Sequence, residues 1–168
     1  MHSMAYEEDG IDISTLKKSL SEADIKKIMD AYPTADKMSA LELYKTIGGD
    51  IYKDVLQNGL KKNGTLKSSY KNTCCFRLSK ALNDSGFTIA KSDYTMSGKN
   101  NLNYYFATKY MGPYLMQTYN FGSSMKNYGL IIQTGCGWSD ASGHVDVFFY
   151  NRIGIHSYPN CSTTKCSF

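Results

Sequence analysis

An α+β fold is predicted by three features of the chain. Capped segments with helical periodicity fill its first third and the stretch around residues 72–86, extended apolar segments joined by glycines fill its last third, and few helices lie among those strands. At 168 residues the chain is long enough to bury one core without depending on staples. It reads as a single domain over residues 1–168, with residues 1–20 a flexible or loosely packed lead-in.

Ser21 is a helix cap with Asp24 three positions on, and Ile25, Ile28, Met29 and Tyr32 follow at i, i+3, i+4, i+7. Pro33 stops that helix. The capping box Ser39-x-x-Glu42 opens a second helix with Leu41, Tyr44 and Ile47 inward, ended by Gly48-Gly49. Ile51–Leu56 continues as a shorter helix, and the polar stretch 61–71 with its Asn63-Gly64 pair reads as a loop. Asn72 or Thr73 caps the next helix, on which Cys75, Leu78 and Leu82 form an apolar line with Gly86 past its end. Residues 92–103 read as a polar loop, and Pro113 as the first residue of a helix running to Tyr119. Leu130–Gln133 and His144–Tyr150 are predicted strands. A turn over 151–154 and a returning strand over 155–158 complete the pattern.

The net charge is +4, and arginine occurs only at Arg77 and Arg152. A nucleic-acid surface would carry a basic stripe, so no nucleic-acid partner is expected. The longest apolar runs, 129–132 and 145–150, are far shorter than a membrane span, so no membrane insertion is expected either. The acidic, polar start MHSMAYEEDG lacks the pattern of a cleavable signal peptide. Five cysteines leave one over. Cys161 and Cys166 stand close together in a polar tail and suit a local disulfide in an oxidising compartment, while Cys75 and Cys136 are either buried thiols or a pair. Export without a cleavable signal reconciles such a disulfide with this beginning.

The chemistry centres on Cys74. A helix N-terminus favours thiolate over thiol, and an imidazole nearby takes the proton. His144 follows the small run Ala141-Ser142-Gly143 and opens a strand. Cys75 points about a hundred degrees away from Cys74 and is expected to be inert core. A third group must hold the imidazole's tautomer. His156, twelve residues on and of matching strand parity, ranks first. Asp146 shares a strand face with His144 but stands ~7 Å along it, and Asn151 lies in the turn. Trp138, Asp140, Gly143 and Tyr158 border the cleft, because the loop before His144 must lie beside the catalytic pair. The Cys and His positions lack the spacing of a metal site, and there is no phosphate loop or serine elbow, so no metal and no cofactor are expected.

The segment NTCCFRLSKALNDSG resembles the catalytic-helix motif of the type VI secretion amidase effectors of family 4. The likeness extends to YKTIGGDIYK, SGKNNLNYYFATKYMGPYL and GWSDASGHVDVF, covering roughly residues 30–166. The resemblance implies a papain-like, NlpC-type α+β fold with the nucleophile helix packed on a small antiparallel sheet. It implies Cys74 as nucleophile, His144 as general base and a short disulfide loop closed by Cys161 and Cys166. It further implies cleavage of peptidoglycan peptide stems between D-glutamate and meso-diaminopimelate in a target bacterium's periplasm, after delivery by the type VI secretion apparatus. A cognate immunity protein protects the producing cell. The chain departs from the family pattern twice. Residues 162–165 carry no orienting Asp, and Cys75 replaces the small residue that usually follows the nucleophile. The wider NlpC-type pattern tolerates a histidine at the spacing of His156.

The rival to a cysteine amidase is a non-catalytic, tyrosine-rich, disulfide-stapled module that binds cell wall or protein. Rapid iodoacetamide inactivation through Cys74 separates the two. A transglutaminase or acyltransferase would use the same dyad with an amine acceptor.

Overall fold

The computed structural model describes residues 16–139 and 141–167. Helix α1 (Glu22–Ala31) starts from the expected capping box, with Ser21 and Asp24 each bonding the other's main-chain N–H. Such a cap contributes about 1 kcal/mol. Its inward face buries Ile25, Ile28 and Met29, each stabilising the fold by ~1.5–3 kcal/mol. Helix α2 (Ala40–Ile47) repeats the device with Ser39 and Glu42. Helix α3 (Gly49–Asp54) follows and runs into a π-helical turn at Val55–Gly59. Helix α4 (Cys74–Asp84) carries Cys74 at its first position.

Strands β1 (Thr95–Ser97) and β2 (Asn103–Tyr105) form a small antiparallel pair inside the stretch read as a polar loop. Helix α5 spans Thr108–Thr118, so it begins five residues before Pro113, which sits exposed within it. Burial of Thr108 and Met111 in the first turn outweighs the main-chain bond that proline cannot donate.

The main sheet is antiparallel, ordered β3-β7-β4-β5-β6, from β3 (Phe121–Gly122), β4 (Tyr128–Thr134), β5 (Gly143–Phe149), β6 (Arg152–Ile153) and β7 (Thr163–Ser167). Gln133 on β4 stands opposite His144 on β5. Helices α1, α4 and α5 pack on one face of this sheet around Leu78, Leu82, Met111, Leu115, Leu130, Val145 and Val147. A second apolar cluster joins α2, α3 and the π turn to Phe76 and Tyr104.

The turn after β5 comes earlier than its sequence suggests. Tyr150 takes a left-handed φ of 56°, which pairs Phe149 with Arg152 and Phe148 with Ile153. Residues 155–158 therefore leave the ladder instead of forming the expected returning strand. The polar tail also differs from expectation. Residues 163–167 are β7, wedged between β3 and β4, with Cys166 opposite Ile131 and Gly122. Among the described residues, no helix is long and apolar enough to cross a membrane.

Candidate active site

Cys74 lies at the mouth of α4, 2% exposed, with its N–H directed at Asn72 Oδ1 over 3.4 Å. Thr73 occupies the cap position but does not cap. Its hydroxyl instead accepts from Arg77 Nε at 2.8 Å. Buried Arg77 also donates to the Pro33 and Met38 carbonyls at 2.6 and 2.9 Å, tying the segment between α1 and α2 to the helix mouth.

The α4·β5 packing places the His144 imidazole against the Cys74 thiol, and the Val145 N–H points at the same sulfur. Cys75, His144 and Val145 hold the Cys74 thiol well below the usual range, against the opposing effect of burial. Burial pulls the His144 imidazole down, but Asp146 and Cys74 outweigh it and push the group up to about 9. A thiolate–imidazolium pair is the state these neighbours favour.

The third group beside the imidazole is Asp146, not His156. Asp146 Oδ2 lies 2.9 Å from His144 Nε2, which leaves Nδ1 for the thiol. The carboxylate is fully buried and accepts from Val147 N at 2.8 Å and from Ile155 N at 2.8 Å. Same-face residues stand ~7 Å apart along a strand at their Cα atoms, yet here the two side-chain tips meet at 2.9 Å. Gly154 makes room for this arrangement. A Cβ there would collide with Asp146 Oδ1 and lie 2.6 Å from Tyr32 Cζ. His156 is exposed, with its ring 4.2 Å from that of Tyr158. The early turn at Tyr150 took it off the strand that would have aligned it with His144.

The disulfide also differs from expectation. It joins Cys136 to Cys161, while Cys166 is a buried free thiol. A strand spans ~3.3 Å per residue, so β7 carries Cys166 too far from Cys161 for a bridge. The Cys136–Cys161 link instead fastens the loop before β5 to the segment bearing Tyr158. Gln133 strengthens the same junction, accepting from Tyr158 N at 2.9 Å and donating to its carbonyl at 2.9 Å.

Two cavities flank the dyad and share Asn72, Trp138 and Ala141. One, about 450 Å³, reaches Cys74, Cys75, Thr108 and Lys109. The other, about 690 Å³, reaches His144, Gly143, Arg77, Lys71 and Tyr158. Trp138 and Tyr158 meet edge to face at 4.6 Å, and Tyr158 meets His144 at 4.9 Å. Gly143 admits no side chain, because a Cβ would strike the Gln133 carbonyl oxygen. Asp140, also expected at the cleft, lies outside the described residues. Among the described residues, no group of three or more Asp, Glu, His or Cys side chains is arranged to hold a metal.

Residues 70–168 match the model of the family described as Tae4: Type VI secretion system (T6SS), amidase effector protein 4. The chain belongs to this family. It is thus an amidase effector of type VI secretion, an enzyme of a class acting on peptidoglycan. Solved structures share its fold. The effector Tae4 from Salmonella typhimurium, in complex with the immunity Tai4 from Enterobacter cloacae, superposes with a TM-score of 0.64 at 22% identity, over 85% of this chain and 96% of that one. A structure of the Tae4/Tai4 effector–immunity system of Salmonella typhimurium gives 0.64 at 23% identity, over 91% and 98%. Tae4 from Enterobacter cloacae gives 0.60 at 21%, over 92% and 96%. A comparison with curated protein sequences returns no match.

Sequence reasoning ranks Asp146 below His156 and passes over Arg77 and Thr108. For Asp146 a signal exists, a carboxylate within a strand of buried apolar residues. Arg77 and Thr108 carry no such signal, because their partners are main-chain carbonyls remote in sequence.

Proposed function

We propose that the chain is a cysteine amidase that cuts peptidoglycan peptide stems between D-glutamate and meso-diaminopimelate. The observation that carries this reading is the buried Cys74–His144–Asp146 relay opening onto a two-lobed cleft. The Cys74 thiolate attacks the amide carbonyl and forms a thioester. His144 gives its proton to the departing amine, then takes one from the water that releases the acyl group. Asp146 stabilises the imidazolium throughout and does not itself change protonation. The Cys74 N–H, held only loosely by Asn72, donates to the developing oxyanion, and the Asn72 amide lies beside it in the cleft. Trp138 and Tyr158 border the bound stem.

The bond assigned rests on the family resemblance, as do the setting and the partners. The protein is delivered by a type VI secretion apparatus, acts against a target bacterium in its periplasm, and is neutralised in the producing cell by a cognate immunity protein. The Tae4–Tai4 complexes of the fold relatives support that last role.

Incubation with Gram-negative peptidoglycan should release peptides that begin with meso-diaminopimelate, identified by mass spectrometry, and Cys74→Ala should abolish their release. Full activity in Cys74→Ala would falsify the mechanism. Peptides beginning at another residue would overturn the bond assigned while leaving the amidase intact.

A further inference from the structure

The mechanism above leaves a second buried thiol unused, one residue beyond the nucleophile. Neighbouring helical side chains diverge by about a hundred degrees, so adjacent thiols ordinarily face apart. Here the Cys74 and Cys75 sulfurs lie 4.0 Å from each other, and both lie near Thr108 Oγ1, at 3.9 and 3.6 Å. The Thr108 hydroxyl donates to the Gly143 carbonyl at 3.2 Å, so the lone pairs of its oxygen remain for the sulfurs. The Cys75 S–H therefore has two acceptors within reach, Thr108 Oγ1 and Cys74 Sγ. Once Cys74 carries charge it is the stronger one.

We propose that Cys75 is a positioning residue for the nucleophile, its S–H turning from Thr108 Oγ1 to the Cys74 thiolate and holding that sulfur charged and aimed at the cleft. The bond to Cys74, together with burial, pushes the Cys75 thiol well above the usual range, which keeps it the donor of the pair. The other titratable groups around the two sulfurs are His144 and Asp146 on β5, Tyr32 beyond α1, Tyr44 on α2, Tyr158, and Lys109 on α5, which lines the same cavity. None of them occupies the Cys75–Thr108 contact.

The inference rests on Cys74 as the nucleophile, and its test needs no peptidoglycan. The rate of iodoacetamide alkylation at Cys74 is followed against pH in the full chain, with the labelled residue located by peptide mass spectrometry. Cys75→Ala should raise the apparent pKa of Cys74 by about one pH unit. Cys75→Val, which fills the site without a donor, should do the same and replaces the alanine variant if that fails to fold. Cys75→Ser, which keeps a donor, should restore the wild-type profile. An unchanged profile in the alanine and valine variants, or a serine variant shifted as far as they are, would overturn the proposal. A shift that follows this pattern in a protein inactive on peptidoglycan would support it and count against the amidase reading alone.

Discussion

The two halves of the proposed catalytic pair are held by contacts of different length and chemistry. On the β5 side, Asp146 makes short contacts at 2.8, 2.8 and 2.9 Å to Val147, Ile155 and His144, and Gly154 leaves it no spare space. On the α4 side, the Cys74 and Cys75 sulfurs touch each other and Thr108 only over 3.6–4.0 Å. The difference suits the proposed mechanism. There the imidazole keeps one tautomer and one orientation through both proton transfers, and Asp146, itself bonded by Val147 and Ile155, serves that. The sulfur has to move toward a carbonyl and back, and long contacts to polarisable sulfur permit that motion.

Disrupting the β5 half should have the largest effect. Asp146→Asn should lower kcat/KM on peptidoglycan by roughly 10⁴-fold, since losing the orienting carboxylate of such a triad costs on that order. An effect below tenfold would show that the imidazole is held by something else. Gly154→Ala attacks the same bonds through packing. It should destabilise the fold by about 2–3 kcal/mol, read from urea unfolding, because the added Cβ must displace either Asp146 or the Tyr32 ring.

A pH series tests the pair as a unit. The raised His144 pKa places the loss of activity on the alkaline side, with kcat/KM falling about tenfold per pH unit once pH exceeds about 9. The sign for stability is the same. A histidine raised from 6.5 to about 9 contributes fully below the lower value, and that contribution is lost as pH rises through the upper one. An alkaline limb near 6.5 would mean that Asp146 does not support the imidazolium. The smallest effect belongs to the residue that strand parity and spacing favoured. His156→Ala should change kcat/KM by less than about threefold, as expected for an exposed side chain away from the reacting atoms. A loss as large as that from Asp146→Asn would return His156 to the relay.

Local signals made much of this readable in advance. The capping boxes at Ser21 and Ser39 fix the starts of α1 and α2 through bonds within four residues. The apolar line on α4, the apolar run in β4 and the alternation His144-Val145-Asp146-Val147 in β5 mark these elements, and so set Cys74 at a helix mouth and His144 on a strand. Elements whose residues are placed by distant partners were not readable. The tail looks like a loop in sequence because β7 gains its stability from β3 and β4, about thirty or more residues earlier in the chain. Pro113 drew the start of α5 too late, since burial of Thr108 against the site decides where that helix begins.

By itself the sequence determined α1, α2 and α4, the strands β4 and β5, and the placing of Cys74 at a helix start and His144 on a strand, because each follows from periodicity and caps within a short window. Only the tertiary structure decided what holds them. A left-handed turn at Tyr150 removed His156 and delivered Ile155 N–H to Asp146, β7 separated Cys166 from Cys161, and packing of α4 and α5 on β5 brought two thiols to one threonine. Side-chain hydrogen bonds and disulfides act over a few ångströms. They depend on which chain segments become neighbours in space, and local sequence carries little record of that.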